Sequence, residues 1–542
     1  MVRYLVAISL AAGIALSQAP AARASDAASL LSLHANYAGW HFGAYSTLVI
    51  KGEAIDSAGR SVGHWRTLEI GAAYRTQSAN VPGMLGDSGF TGRVFWSTDA
   101  NGFTRPNYSD YQSFEISKFV LFNEGTSLLS GTSEGDVGAN GTSYPVVRVT
   151  PENGDPIDLA VDPSTGAYVQ AVIDPGGPYE RTYDILGYTE FAPGKRYVSK
   201  YRVNGAAATN TVTQVQANVP VDSVDLHPPA ATAYWTFGSA QPVRVRMTQY
   251  AAIVSATING VSGNFIIDTG ASDIVLSSDF ASRAHVNTGE AVNIEGLLGP
   301  LHAGLAHVAM TIGDSTLNNV LVAVGGRDYT ANANEFHDEL GTITVNGLIG
   351  YPLFGAAVVT LNTSDRTLTI EDPQQAVVDQ TSGWAAHVDL ADDQPMIPVL
   401  VEHRAPINAL LDSGNSAFVA ISQGAVDRNH IAILGSAGTM PNVAVNVAGI
   451  NPITDPNSGV EMQNYMASHE MIRDITGQEE IDPCSTISSI ALGPINYEST
   501  TACVSQHMAG DWLILGYPFL ENFDLTFDYP QGILLFKPHT TH

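Results

Sequence analysis

Short runs of alternating apolar and polar residues fill the first part of the chain. STLVIKGEA (46–54), WRTLEIGAAY (65–74), GRVFWSTD (92–99), VVRVTPENG (146–154), IDLAVDPSTG (157–166) and YVQAVIDP (168–175) all show it. A period of two is the pattern of a strand with one face buried. Asn101-Gly102, Asn153-Gly154 and Ser164-Thr165-Gly166 punctuate the runs as hairpin turns do. The segment 110–123 is the one stretch here that reads as a helix. The pattern predicts a separate antiparallel β-rich domain over 25–235, curved into a half-barrel. His227-Pro228-Pro229-Ala230 reads as the linker that ends it.

Beyond residue 240 the chain repeats itself. ATINGVSGNFIIDTGAS (256–272) and LVEHRAPINALLDSGNS (400–416) share a layout of strand, turn, and a second strand ending in two aliphatics before an Asp-hydroxyl-Gly triplet. VNGLIGYPLFGAAVVTLNTSDRTLTI (345–370) and DWLILGYPFLENFDLTFDYPQGILLF (511–536) share another. Each has two aliphatics, then Gly-Tyr-Pro, two large apolars, a strand, a polar turn and a strand. Two halves of one plan are therefore expected, over 240–372 and 385–542, joined by a polar connection at 373–384. The extra length of the second half, around 440–485, reads as a long surface loop. The fold class is mainly β: two related barrel-like lobes preceded by the β-rich domain.

The triplets carry the candidate chemistry. A carboxylate at the end of a buried strand is costly unless its lone pairs are satisfied. Gly270 and Gly414 let the backbone turn tightly enough for an N–H to reach Asp268 and Asp412. Thr269 and Ser413 can bond across a junction between the halves. If the two loops meet, two like charges lie close together, and the pair holds one proton between them. One carboxylate then acts as base toward a water, while the protonated partner acts as acid toward a carbonyl oxygen.

With these motifs the chain resembles the aspartic peptidases. It is pepsin-like in carrying two lobes on one chain. It is retropepsin-like in IIDTGAS, where Ala271 follows Gly270, and most similar to exported bacterial retropepsin-like proteins. The resemblance covers roughly 240–540 and implies a catalytic pair, Asp268 and Asp412. It also implies that Leu348-Ile349-Gly350 and Ile514-Leu515-Gly516 are the aliphatic-Gly elements passing behind the catalytic loops. Asn415 departs from it, standing where pepsins have Ser or Thr. Gly296, Leu297, Leu298 and Gly299 form the candidate flap, in place of a flap tyrosine. Asp273 reads as a helix-capping or surface aspartate. VFWSTDANGF (94–103) resembles a run in the half-barrel of LolA-like lipoprotein carriers. That resemblance leaves a scaffold, a pro-region or a holder of apolar substrate segments open as the domain's role.

Composition narrows the partners. The formal net charge is −29, which repels nucleic acid and anionic membrane surfaces. Arg3, the apolar run 4–16 and Ala22-Arg23-Ala24 read as a secretory signal over 1–24, so the protein is expected to be exported, periplasmic or secreted. No later run is long and apolar enough for a membrane span. Cys484 and Cys503 can close a disulfide in an oxidising compartment. No metal or cofactor is expected. The His469-Glu470 pair lacks the second histidine of a zinc helix, and Gly86-Asp87-Ser88-Gly89 is turn chemistry rather than a serine nucleophile. The expected partner is a polypeptide substrate, and a monomer suffices because both half-sites lie on one chain. The competing reading is a peptide- or lipid-binding, regulatory protein on an inactive peptidase fold.

Overall fold

The computed structural model describes residues 26–81, 84–107, 111–139, 141–295, 300–326, 328, 336–390, 393–431, 469–473, 479–505, 507–508 and 510–539. The segment 1–24 and the candidate flap at 296–299 lie outside them. The chain is mainly β, as the alternation predicts.

Thirteen strands of the first region form one antiparallel sheet. Two meanders make it. One runs from Thr47–Ile55 outward to the edge strand Thr104–Asn107; the other runs from the edge strand Gly131–Ala139 back to Thr209–Ala217. They join where Thr47–Ile55 pairs with Thr209–Ala217, Leu48 opposite Ala217. The helix Tyr111–Phe122 fills the place expected of it and links the two edges. A second helix, Ala27–Ala38, was not expected. Its Leu30, Leu31, His34 and Ala38 form a buried stripe at helical spacing, and Gly39 ends it in the left-handed region at φ 74°. Both helices pack on the sheet through Leu30, Leu31, Phe114 and Leu121, against Val147, Leu159 and Ile185. Gly86-Asp87-Ser88-Gly89 lies within the strand Met84–Phe90, where Asp87 accepts from Arg75 Nε and Nη2 at 2.8 and 2.9 Å.

The two halves repeat each other strand for strand. In the first, Ala252–Ile258 and Val261–Ile267 form a hairpin whose second strand runs parallel to Gly347–Ile349, Ile266 opposite Leu348. Ile274–Leu276 pairs antiparallel with Gly347–Ile349 and parallel with Ser315–Gly325. Pro300–Ile312 then closes the ring by pairing back to Ala252–Ile258. In the second half Met396–Val401, Pro406–Asp412, Trp512–Gly516, Val419–Ser422, Ile495–Ser505 and Glu479–Leu492 have the same order and senses. Met396–Val401 pairs with Glu479–Leu492 to close that ring. The run before the second triplet, Ile407–Leu411, is buried on both faces and so reads as continuous, whereas before the first Phe265 and Ile267 are buried and Ile266 is half-buried.

Sequence did not show what lies beneath the barrels. The hairpins Val358–Asn362/Thr367–Glu371 and Phe523–Asp528/Ile533–Pro538 pair edge to edge, Val358 opposite Asp528 and Leu361 opposite Leu525. Val243–Met247 and Trp384–His387 extend this sheet at its two ends. One continuous apolar core therefore runs through both halves, with Phe354, Phe527, Tyr529 and Phe536 at its centre. The connection expected at 373–384 ends one residue early, because Trp384 is already a strand residue stacked on Phe536. The long loop expected over 440–485 is interrupted by His469–Arg473, which pairs with Glu479–Leu492; residues 432–468 and 474–478 lie outside the described set. No described helix is long and apolar enough to cross a membrane.

Cys484 and Cys503 face each other on Glu479–Leu492 and Ile495–Ser505 and form a disulfide with Cα atoms 3.9 Å apart. A 19-residue loop implies at most about 3 kcal/mol of stabilisation. Replacing both cysteines by serine should lower the unfolding free energy by no more than that. Reductant should bring the wild type to the variant's thermal midpoint and leave the variant unchanged. A wild-type midpoint indifferent to reductant would contradict the pairing.

Candidate active site

Each triplet follows a buried strand and is pinned from behind by the aliphatic-Gly element. The Asp268 N–H donates to the Ile349 carbonyl at 3.0 Å, and Gly350 and Tyr351 N–H donate to the Asp273 and Ala271 carbonyls at 3.1 and 2.8 Å. In the second half Gly516 and Tyr517 N–H donate to Phe418 and Asn415 at 3.3 and 2.8 Å, and Asp412 pairs with Gly516 in register. Leu348, Ile349, Ile514 and Leu515 are buried. The turn closes on the acid as expected. Gly270 N–H donates to Asp268 Oδ1 at 3.0 Å, and Gly414 N–H to Asp412 Oδ1 at 2.9 Å.

The loops meet across the junction of the halves. Thr269 Oγ1 donates to the Leu411 carbonyl at 2.6 Å and accepts from Ser413 N–H at 2.9 Å. Ser413 Oγ donates to the Ile267 carbonyl at 2.7 Å and accepts from Thr269 N–H at 3.0 Å. Both hydroxyl residues are 1 % exposed, so water cannot substitute for these bonds. The approach is close enough to dictate glycine. A Cβ on Gly270 would lie 2.3 Å from the Asp412 Cγ, and one on Gly414 would lie 2.4 Å from the Asp268 Cγ.

Asp268 and Asp412 are hydrogen-bonded to each other, and both keep part of their surface open. The protein packed around them raises the pKa of both. Asp268 is pushed well above the ordinary carboxylate range by burial first, then by the charge of Asp412 and the bond between them. Asp412 rises through burial, opposed by the bond from Asp268 and the N–H groups of Gly414, Asn415 and Gly270. Two carboxyls this close hold one proton between them where an isolated carboxyl would already be ionised. Asn415 does not supply a hydroxyl; its Oδ1 accepts from Ala417 N–H at 2.9 Å and shapes its own loop.

Two neighbours were not foreseen in their roles. Gln394 Nε2 donates to the Gly270 carbonyl at 2.5 Å. Asp273 caps no helix, since Ser277 caps the one that follows; Asp273 lies beside Asp99 of the first region. Burial and then that charge raise its pKa to about 6. A cavity of about 700 Å³ opens between the first region's sheet (Tyr179, Thr182, Asp184) and the second half (Met396, Trp512); neither catalytic candidate lines it, but Gln394 does.

Residues 254–353 match a family model described as Aspartyl protease. The match includes Asp268 and Leu348–Gly350 and stops short of the second triplet. No curated protein sequence matches the chain. Similar solved structures include a DUF1329 family protein from Desulfovibrio piger and a candidate outer membrane lipoprotein-sorting protein domain from Vibrio parahaemolyticus. Each is 12% identical and covers 36% of this chain and 95% of its own, with a TM-score of 0.26. So distant a likeness says nothing about activity.

Thr269→Val should lower the unfolding free energy by about 1–3 kcal/mol in a urea titration, because it strands a buried N–H and a buried carbonyl. Thr269→Ser should cost less; equal losses would mean the crossing bonds do not hold the loops. A second expectation concerns pH. Because both acids have folded pKa values above the unfolded one, the folded state holds extra protons, and stability is lost as pH rises through the raised values. Relative to wild type, Asp268→Asn should therefore gain thermal stability as pH rises above about 4, the unfolded carboxyl value, through the range in which the folded pair loses its extra protons. A constant difference across that range would argue against the raised pair.

Proposed function

We propose that the protein is an exported aspartic endopeptidase. The observation that carries this reading is the pair Asp268–Asp412, hydrogen-bonded between two loops of equivalent topology. The ionised carboxylate takes a proton from a water lodged between the two. The hydroxide equivalent attacks the peptide carbonyl carbon, and the protonated carboxyl donates to the carbonyl oxygen. The tetrahedral gem-diol then collapses: the carboxyl protonated in the first step donates to the leaving amine as the C–N bond breaks, and the other carboxylate takes a proton from a gem-diol hydroxyl as the carbonyl re-forms, so the pair again holds one proton. The loop N–H groups fix both carboxyls before substrate arrives, so little reorganisation is needed at reaction.

Export is supported by the leader-like start of the sequence and by the Cys484–Cys503 disulfide, a bond that persists in oxidising compartments. Hydrogen-bonded acids support hydrolysis over a purely binding role, which would tolerate carboxyls held apart.

The test is cleavage of an unfolded protein at acidic to neutral pH. Asp268→Asn and Asp412→Asn should each reduce the rate by at least about 10²–10⁴-fold while leaving the fold intact by circular dichroism. A statine-type transition-state mimic should block the wild type. Full activity in both variants would refute the proposal.

A further inference from the structure

The first region reaches into the catalytic centre through one hairpin. In the turn after its strand Phe95–Thr98 and in its strand Thr104–Asn107, the residues Asp99, Asn101, Phe103 and Arg105 are all buried, at 4 %, 2 %, 4 % and 1 % exposure. Asp99 accepts from the N–H groups of Asn101 and Phe103 at 3.1 and 2.7 Å, which sets the turn. Asn101 Oδ1 accepts from Leu321 N–H of the first half at 2.7 Å, and Phe103 joins the core of the two lobes. A sheet edge that only covered a surface would not need four successive inward side chains.

Arg105 leads from this hairpin to the supports of the catalytic loops. Arg105 ion-pairs with Asp393, donates from Nε to the Leu390 carbonyl, and lies 4.7 Å from the ring centroid of Tyr351. Tyr351 follows the aliphatic-Gly element, and its N–H holds the Ala271 carbonyl. Asp393 precedes Gln394, whose amide holds the Gly270 carbonyl. A guanidinium suits this place, since it stays charged when buried and offers a planar fork to a carboxylate, a carbonyl and a ring together.

We propose that this hairpin is a built-in part of the peptidase centre and that Arg105 is a positioning residue. It anchors Leu390, Asp393 and Tyr351 so that Gln394 and the aliphatic-Gly element hold the loop of Asp268 in register with Asp412. The kinetic side rests on the peptidase reading; the positioning itself does not.

The experiment uses the full-length protein with Arg105→Met, Arg105→Lys and the double variant Arg105→Met/Asp393→Asn, which removes both charges. Displacing the loop by about 1 Å should lower kcat by about 10²-fold, with KM little changed. Arg105→Lys should recover part of the loss. The double variant should regain thermal stability toward wild type but not kcat. Amide exchange at residues 269–271 should quicken in both Met-containing variants. Unchanged exchange there, or full kcat in the double variant, would overturn the proposal. If the wild type cleaves nothing, the peptidase reading fails, and the exchange result alone decides the positioning.

Discussion

Two side-chain hydroxyls, on Thr269 and Ser413, hold the rest of the arrangement in place. Each one crosses into the opposite loop, donates to the carbonyl just before the opposite aspartate and accepts the N–H just after it. Donor and acceptor capacity of both are thus consumed in a site closed to water, where an unmade bond is expensive. The crossing fixes the distance between the loops. That distance in turn demands glycine on either side and forces the two acids into one hydrogen-bonded pair. The raised affinity for a proton follows from burial of the pair first and, at Asp268, from the nearness of Asp412 second.

Such a crossing survives only if the elements behind it do not slide. The two closed rings of strands give each loop a parallel neighbour that fixes its height. The sheet shared by both halves fixes the rings relative to each other through backbone bonds and a common apolar core. The hairpin 95–107 adds a third support from outside the repeat, and it is the one that breaks the symmetry between the loops. The first half has Arg105 on Tyr351, whereas in the second the equivalent Tyr517 donates its hydroxyl to the Met247 sulfur.

What sequence revealed, and what it hid, has a physical basis. The repeat was legible because a strand buried on both faces must be an aliphatic run, and a run that stops at Asp-Thr-Gly or Asp-Ser-Gly marks its own end. The strands of the first region were legible from their period, and their turns from Asn-Gly pairs. The helix Ala27–Ala38 carried signals too, a spaced apolar stripe and Gly39, but they lay next to a leader-like segment that drew the eye. The shared sheet had no local mark, because Val358–Leu361 and Leu525–Asp528 sit at equivalent places in the two halves, more than 160 residues apart in sequence (525 − 361 = 164). Arg105 was invisible for the same reason: its carbonyl partner on Leu390 is 285 residues away. Asp273 was read as a capping or surface aspartate because its neighbour Asp99 belongs to another region altogether.

The shared sheet has a consequence for when the acids can first meet. Phe523–Asp528 and Ile533–Pro538 come after everything else that builds the centre, yet the first half rests its own hairpin against them. A ribosome delivers residue 268 more than two hundred residues before these strands. Asp412 follows 144 residues after Asp268 (412 − 268), still 111 residues ahead of Phe523 (523 − 412). Both acids are therefore synthesised before the sheet that braces the two halves against each other is complete, and the contact between their loops gains that brace only when the last two strands have been made.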